Sequence, residues 1–305
     1  MPVVVALGGN TLLGADGPWT FEAQMAAIDR TAARIARGIA AGHDIVLTHG
    51  NGPQVGNLLL EQDRVDETPR RPLDVLVAET QAQIGYLLQQ GLDNELGGEP
   101  DFLTVVTQVI VDPTDAAFDE PTKPIGPYYT TAEATEATFE TRAVTNEEPR
   151  HRRVVPSPDP VDIVEADEIA RLVAAGNLVI CAGGGGVPVT RDPSLAGVEA
   201  VIDKDLTSAL LARELGAGKL IVLTDVPYVY HHYGEPDQEP IREATPAALE
   251  DVLDADVFPA GSMQPKVRAC VEFVTGGGDV AVITTPDRFE DALAEKDGTV
   301  IRSND

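Results

Sequence analysis

Three times in this chain a short apolar run ends in a cluster of glycines. Val3 to Leu7 runs into Gly8-Gly9-Asn10, Asp44 to Thr48 into His49-Gly50-Asn51-Gly52, and Asn177 to Cys181 into Gly183 to Gly186. An apolar run of this length with no polar alternation reads as a strand covered on both faces, the habit of a parallel sheet between helices. The residues that follow support this. Thr20 is placed to cap a helix whose apolar residues fall at Phe21, Met25, Ile28, Ala32, Ile35 and Ile39, and Gly42 ends it. Pro53 stands at a first helical position ahead of Leu58-Leu59-Leu60. Strand, glycine turn and helix in succession predict an α/β fold with ligands at the strand C-terminal ends. Glycine at such turns lets neighbouring N–H groups point at one anion. No Gly-Lys-Ser/Thr occurs, so none of the three is a P-loop, and none is a dinucleotide fingerprint.

Further along, Leu73 to Gln90 reads as helix, and 103–107 and 109–111 read as β. Between Asp112 and Pro160 the pattern breaks down. Prolines stand at 113, 121, 124, 127, 149, 156, 158 and 160, and one short helix near Ala132–Glu140 is the only clear element. An irregular insertion between sheet-rich flanks reads as a functional lid rather than a linker. Regular structure resumes with a helix at 165–175. Strands are expected at 220–224, 279–284 and 300–301, with helices from Gly261-Ser262-Met263-Gln264-Pro265-Lys266 through Phe273 and over 287–294. The 305 residues suit one large α/β domain or two lobes.

Charge separates the function classes. The chain has 50 acidic and 22 basic residues, a formal net charge of −28, which argues against nucleic acid and anionic membrane surfaces as partners. Regular apolar periodicity excludes a disordered acidic chain, leaving a folded protein suited to a salt-rich cytosol, where screening lengths fall to about 3 Å at 1 M. No apolar run approaches the ~20 residues that span a bilayer, and the opening apolar stretch is too short for a signal-peptide core, so a cytoplasmic location is expected. Cys181 and Cys270 have no ligand or redox spacing and read as buried thiols. No His/Cys/Asp cluster has metal-ligand spacing.

Only five basic residues are lysines: Lys123, Lys204, Lys219, Lys266 and Lys296. Lysine offers a compact charge on a flexible stem, which suits a phosphoryl group in transit. Lys204 lies between two acids in Val201-Ile202-Asp203-Lys204-Asp205-Leu206, where an apolar run gives way to a helix. Lys123 lies in the proline-stiffened Pro121-Thr122-Lys123-Pro124-Ile125-Gly126-Pro127. Lys266 sits at a helix start, a poor place for a cation unless an anion joins it. Lys219 and Lys296 read as surface residues, and His49 as structural.

These segments, with Arg153-Val154-Val155-Pro156-Ser157-Pro158, Glu199 to Asp205 and Gly261 to Lys266, run through the chain in an order that resembles the carbamate kinases of the amino acid kinase family. Relatives such as acetylglutamate kinase carry a lysine two residues before the glycine pair, where this chain has Ala6. Thr11 and His151 depart from the family's usual alanine and aromatic residue. The resemblance implies a three-layer αβα sandwich with a mainly parallel eight-stranded sheet. It implies a single domain over 1–305, with a carbamate-side lobe at about 1–195, a protruding lid at about 112–157 and a nucleotide-side lobe at about 196–305.

It further implies a homodimer, ATP/ADP as substrates with Mg2+, and reversible phosphoryl transfer between ATP and carbamate in arginine catabolism. Lys123, Lys204, Asp205 and Lys266 would be catalytic. The amides of Gly8, Gly9, Asn10, Gly50, Asn51, Gly52, Gly184 and Gly185 would hold substrate oxygens. Thr224, Asp225, Tyr230, Met263 and Lys266 would meet the nucleotide. The alternatives are a kinase of the same fold with another acyl or phosphate acceptor, and a non-catalytic sensor of nucleotide or carbamoyl phosphate.

Overall fold

The computed structural model describes residues 1–12, 20–64, 69–143, 150–254 and 263–303. Gly261 and Ser262, at the front of the expected Lys266 helix, lie outside the described residues. From the N-terminus come β1 (Val3–Leu7), α1 (Phe21–Ala40), β2 (Ile45–His49), α2 (Gly52–Asp63), α3 (Leu73–Leu96), β3 (Phe102–Thr104) and β4 (Gln108–Val111). Next are β5 (Lys123–Tyr129), α4 (Thr131–Glu136), β6 (Thr141–Ala143), β7 (His151–Val155) and β8 (Pro160–Ile163). Then follow α5 (Ala166–Ala174), β9 (Leu178–Ile180), β10 (Val187–Arg191), β11 (Leu195–Gly197) and α6 (Lys204–Glu214). The last part holds β12 (Lys219–Leu223), β13 (Val229–His231), β14 (Glu239–Ile241), β15 (Glu243–Ala244), α7 (Pro246–Asp254), α8 (Gln264–Thr275), β16 (Val280–Thr284), α9 (Phe289–Leu293) and β17 (Thr299–Ile301).

Eight strands form one sheet in the order β15-β17-β16-β12-β1-β2-β9-β3, parallel throughout except between β16 and β17. Side chains alternate between its faces. Val4, Ala6, Val46, Leu220 and Val222 join one core with Leu210, Leu211, Val267 and Phe273 from α6 and α8. Val3, Val5, Leu7, Leu47 and Ile221 join a second core with Ile28, Ile35, Ile84 and Phe289 from α1, α3 and α9. The result is the expected three-layer αβα sandwich. Cys181 and Cys270 are buried and unpaired, and burial pushes both thiols up. No helix among the described residues is long and apolar enough to cross a membrane.

The stretch from 112 to 160 differs from its sequence reading. Three antiparallel strands in the order β5-β7-β6 form a separate small sheet. Pro124 and Pro127 hid β5, yet proline is tolerated because β5 is an edge strand. The short helix ends at Glu136, not Glu140, and begins in a capping box between Thr130 and Glu133. In a second sheet, β11-β10-β4-β8, the sequence marked β4 at 109–111, while the other three strands and the β13–β14 hairpin, each three to five residues long, gave no clear signature. Lys219 is not a surface residue: its ammonium reaches the Leu293 carbonyl at 2.6 Å and Glu295 at 2.8 Å.

Candidate active site

Parallel register brings the ends of three central strands side by side. Leu7 pairs with both Leu223 and His49, so Gly8, Thr224 and Gly50 leave the sheet together. The glycines are there because the chains approach closely. A Cβ on Gly8 would meet the Leu223 carbonyl at 3.0 Å, and one on Gly50 would meet the Gly9 amide nitrogen at 2.9 Å and the Lys204 stem at 3.3 Å. The Gly8 amide is committed to Leu223 O at 3.1 Å and the Gly50 amide to Leu7 O at 3.0 Å. Among the described residues, the amides of Gly9 and Gly52 have no backbone partner. Gly52 opens α2, so its N–H also stands at the positive end of a helix.

Lys204 is the first residue of α6, and Asp203 caps it by accepting the Asp205 amide at 2.8 Å. The helix start is fastened to β2 from below. Ser208 donates to the Lys204 carbonyl at 2.6 Å and shares a 2.6 Å hydrogen bond with Thr48. Two buried carboxylates then gather three ammonium groups from distant parts of the chain. Asp203 Oδ2 pairs with Lys123 Nζ from β5. Asp205 pairs with Lys204 through Oδ1 and with Lys266 of α8 through Oδ2, the latter at 3.4 Å.

The electrostatics follow from burial and neighbours. Burial lowers the Lys204 pKa against the pull of Asp205. Burial also opposes the charge on Lys266, but Asp205 and Asp203 raise its pKa overall. Burial alone would raise the Asp203 carboxyl, yet Lys123, with Lys204 and Lys266 beyond it, holds it well below the usual carboxylate range. His49 lies beneath this cluster, almost wholly buried; desolvation and the Lys204 charge bring it down to about 4, against a 3.3 Å contact with Gly50 O that raises it.

Gly184 and Gly185 take positive φ, +66° and +91°, in a buried turn. A Cβ on Gly184 would collide with Asn51, and one on Gly185 with the Ile202 carbonyl. The Gly185 amide donates to Ala182 O and its carbonyl accepts from Thr207. Asn51 donates to Thr80 at 2.8 Å. This turn therefore packs beneath the Asn51 and Asp203 segments. Asn10 continues the Gly8-Gly9 turn into a short helical turn.

On the other flank, Thr224 is buried and its amide donates to Thr284 O at 2.8 Å, while Asp225 beside it is exposed and bears on Lys266. Tyr230 stands between Tyr228 and Tyr233, with ring centres 6.0 and 5.9 Å away. Met263 precedes α8 and packs against the Phe273 core. Sequence reasoning did not single out Tyr228, whose hydroxyl accepts from Arg242 at 2.9 Å and Arg288 at 3.0 Å and donates to Asp297. Its partners are 14 to 69 residues away, so no local spacing marks it.

The β5-β7-β6 sheet is docked through α2. Gly56 and Gly126 lie backbone to backbone, with no room for a Cβ on Gly56, and Gly126 has φ +72°. Arg152 reinforces the seat by donating twice to Gly126 O, at 3.0 and 2.7 Å. At the foot of this sheet Val201 N donates to Pro156 O at 3.0 Å. Asp159 receives both terminal nitrogens of Arg268, which lies on the same helix as Lys266.

Residues 1–285 match the family model described as "Amino acid kinase family". A carbamate kinase of Halobacterium salinarum is 51% identical over 98% of this chain and 97% of its own length. Solved structures of the carbamate kinase from Giardia lamblia superpose with TM-scores of 0.93 and 0.89 at 39% identity, covering 99% of this chain and 98% of theirs; the first is bound to citric acid and the second to AMP-PNP. A fold match, motif order and near-complete coverage agree, and the chain belongs to the amino acid kinase family, among the carbamate kinases.

Proposed function

We propose that the protein is an ATP-dependent kinase that carries out the reversible reaction ATP + carbamate ⇌ ADP + carbamoyl phosphate. The observation that carries this reading is the gathering of three lysines on Asp203 and Asp205, with the Lys204 stem against the close approach of Gly50 and Gly9. In the forward direction a carbamate oxygen attacks the γ-phosphorus, an O–P bond forms, and the bond to the β-phosphate oxygen breaks in line. Carbamate is already an anion, so no base is required. The protein's work is alignment and positive charge around the moving group.

In this reading Lys204 bridges the transferred phosphoryl, Lys123 reaches it from the lid, and Lys266 neutralises the nucleotide's terminal phosphates. Asp205 holds the two lysines it touches and takes no proton. The Gly9, Asn10 and Gly52 amides meet carbamate and phosphoryl oxygens. The Gly50, Asn51, Gly184 and Gly185 segment shapes the floor. Thr224, Asp225, Tyr230 and Met263 line the nucleotide side. The carbamate side belongs to about 1–195, with the 112–157 region as lid, and the nucleotide side to about 196–305. The Giardia structure with AMP-PNP supports a nucleotide site in this fold.

Among the described residues no cluster of His, Cys, Asp or Glu could hold a metal, and Asp203 and Asp205 are engaged by lysines. Mg2+ would come with the nucleotide, its charge offsetting that of the phosphates beside Lys266. The exposed edge strand β3, with Leu103, Val106 and the neighbouring Tyr86 in solvent, supports a homodimer. We place the enzyme in the cytoplasm, in arginine catabolism. A coupled assay decides the acceptor. ATP formation from ADP and carbamoyl phosphate, without turnover of acetylglutamate or uridylate, is the expected result. Binding of carbamoyl phosphate without any ADP-dependent turnover would leave only a sensor.

A further inference from the structure

Asp203 is not among the groups assigned to the reaction, yet it is the residue that meets the lid lysine. We propose that Asp203 is the positioning residue for Lys123: Oδ2 fixes the ammonium at the site while Oδ1 is locked into the cap of α6. The proposal rests on the reading of Lys123 as a phosphoryl-contacting group and gives that group its means of placement.

The two halves of one carboxylate do different jobs. Oδ1 accepts the Asp205 amide at 2.8 Å, and Asp203 is 7% exposed, so the carboxylate cannot swing away. Lys123 lies 80 residues earlier on an edge strand and has a flexible four-carbon stem. The docking of Gly126 against Gly56 places the Lys123 backbone but leaves its Nζ undetermined. The partner at the far end of the stem determines it.

Asp205 divides its oxygens between Lys204 and Lys266, whereas Asp203 Oδ2 serves Lys123. An ammonium has three donors. Asp203 can occupy one and leave two for phosphoryl oxygens, so positioning and substrate contact coexist.

The experiment is a cycle of Asp203→Asn, Lys123→Ala and the double variant in the full-length enzyme, assayed for ATP formation at saturating ADP and carbamoyl phosphate. Asparagine caps helices about as well as aspartate, so the α6 start is kept. D203N is expected to lower kcat about tenfold or more, K123A to lower it further, and the double variant to match K123A alone. If D203N does not fold, Asp203→Ser, which keeps a cap acceptor, takes its place. Wild-type turnover in D203N while K123A is impaired overturns the proposal but not the reading of Lys123. So does a D203N loss that multiplies in full on the K123A background. Wild-type turnover in K123A overturns the reading of Lys123 and the proposal with it.

Discussion

Gly50→Ala tests whether close approach of two turns, rather than flexibility, is what the glycine provides. Gly50 does not lie in the left-handed region, so alanine can adopt its backbone. By restricting the unfolded chain, such a change stabilises by about 0.4–1 kcal/mol where nothing is in the way. Here something is. The new methyl would stand 2.9 Å from the Gly9 nitrogen, 3.1 Å from Gly9 Cα and 3.3 Å from Lys204 Cδ, where ordinary contact begins at 3.4 Å. The Gly9 backbone must retreat by about 0.5 Å, because the Gly50 amide is tied to Leu7 and cannot yield freely. A misplacement of about 1 Å can cost 10²-fold in rate, so about half that distance corresponds to roughly tenfold in kcat. Gly52→Ala is the control, since a Cβ there meets nothing within 4 Å. The assay is steady-state ATP formation together with a thermal melt. G50A should fold with a melting temperature near that of the parent and turn over about ten times more slowly, while G52A stays within about twofold. Parental turnover in G50A, or an equal loss in both variants, refutes the argument from close approach.

Removing the Lys204 ammonium should be costlier still. Lys204→Ala is expected to reduce turnover by about 10² or more, the scale of a lost transition-state donor, without loss of fold; near-normal turnover removes Lys204 from the mechanism. His49 makes stability depend on acidity. Its pKa falls from 6.5 to about 4 in the folded state, so between those values only the unfolded chain takes up the proton. Its contribution is complete above pH 6.5 and is lost as pH falls toward 4, with a slope of at most about 1.4 kcal/mol per pH unit. Urea titrations at several pH values should show that slope, and His49→Gln should flatten it; equal slopes in both proteins contradict the assignment. Arg268→Ala breaks the paired contact with Asp159, but both side chains are about half exposed. The expected loss is about 0.5–1 kcal/mol at low salt and nothing measurable near 1 M, and a loss independent of salt would show that the contact is not screened as surface pairs are.

The central sheet was legible because β1, β2, β9 and β12 each carry three to five consecutive apolar residues, a run that fits a strand buried on both faces. Helix α1 was legible for a different reason, an amphipathic period behind a capping Thr20, whereas α6, buried on all sides from Asp205 to Ala212, showed only helical spacing, and the cap made by Asp203 emerged from the structure. What escaped were strands whose partners lie far away. β5 contains two prolines and a glycine, and its strand character comes from pairing with β7 across thirty residues. The site was legible to the extent that its residues sit in short, chemically unusual segments. Lys204 between two aspartates announced itself, but which lysine each aspartate would take is a three-dimensional fact. So is the commitment of the Gly8 and Gly50 amides to the Leu223 and Leu7 carbonyls, which the glycine turns alone did not foretell. Tyr228 carries no signal at all, since its bonds to Arg242, Arg288 and Asp297 join separate elements.

The carboxylates matter as much as the lysines. An ammonium taken out of water tends to shed its proton, and Lys204 shows that pressure in a lowered pKa even with Asp205 against it. Lys266 is almost as enclosed, yet Asp205 and Asp203 lift its pKa above the ordinary value. Deleting Asp205 would therefore not make the site more positive. It would leave two buried ammonium groups facing each other, and the cheapest relief is for one to become neutral. On the proposed reading, the positive charge required by a moving phosphoryl group exists only because fixed negative charge sits behind it. The arrangement also bears on how a chain of net charge −28 can serve an anionic substrate: exposed charges are screened by salt beyond a Debye length of about 8 Å at 0.15 M, whereas the buried cluster is screened much less. Arginine, which cannot be tuned by such partners, would not serve in these positions, and a chain with only five lysines has placed three of them here.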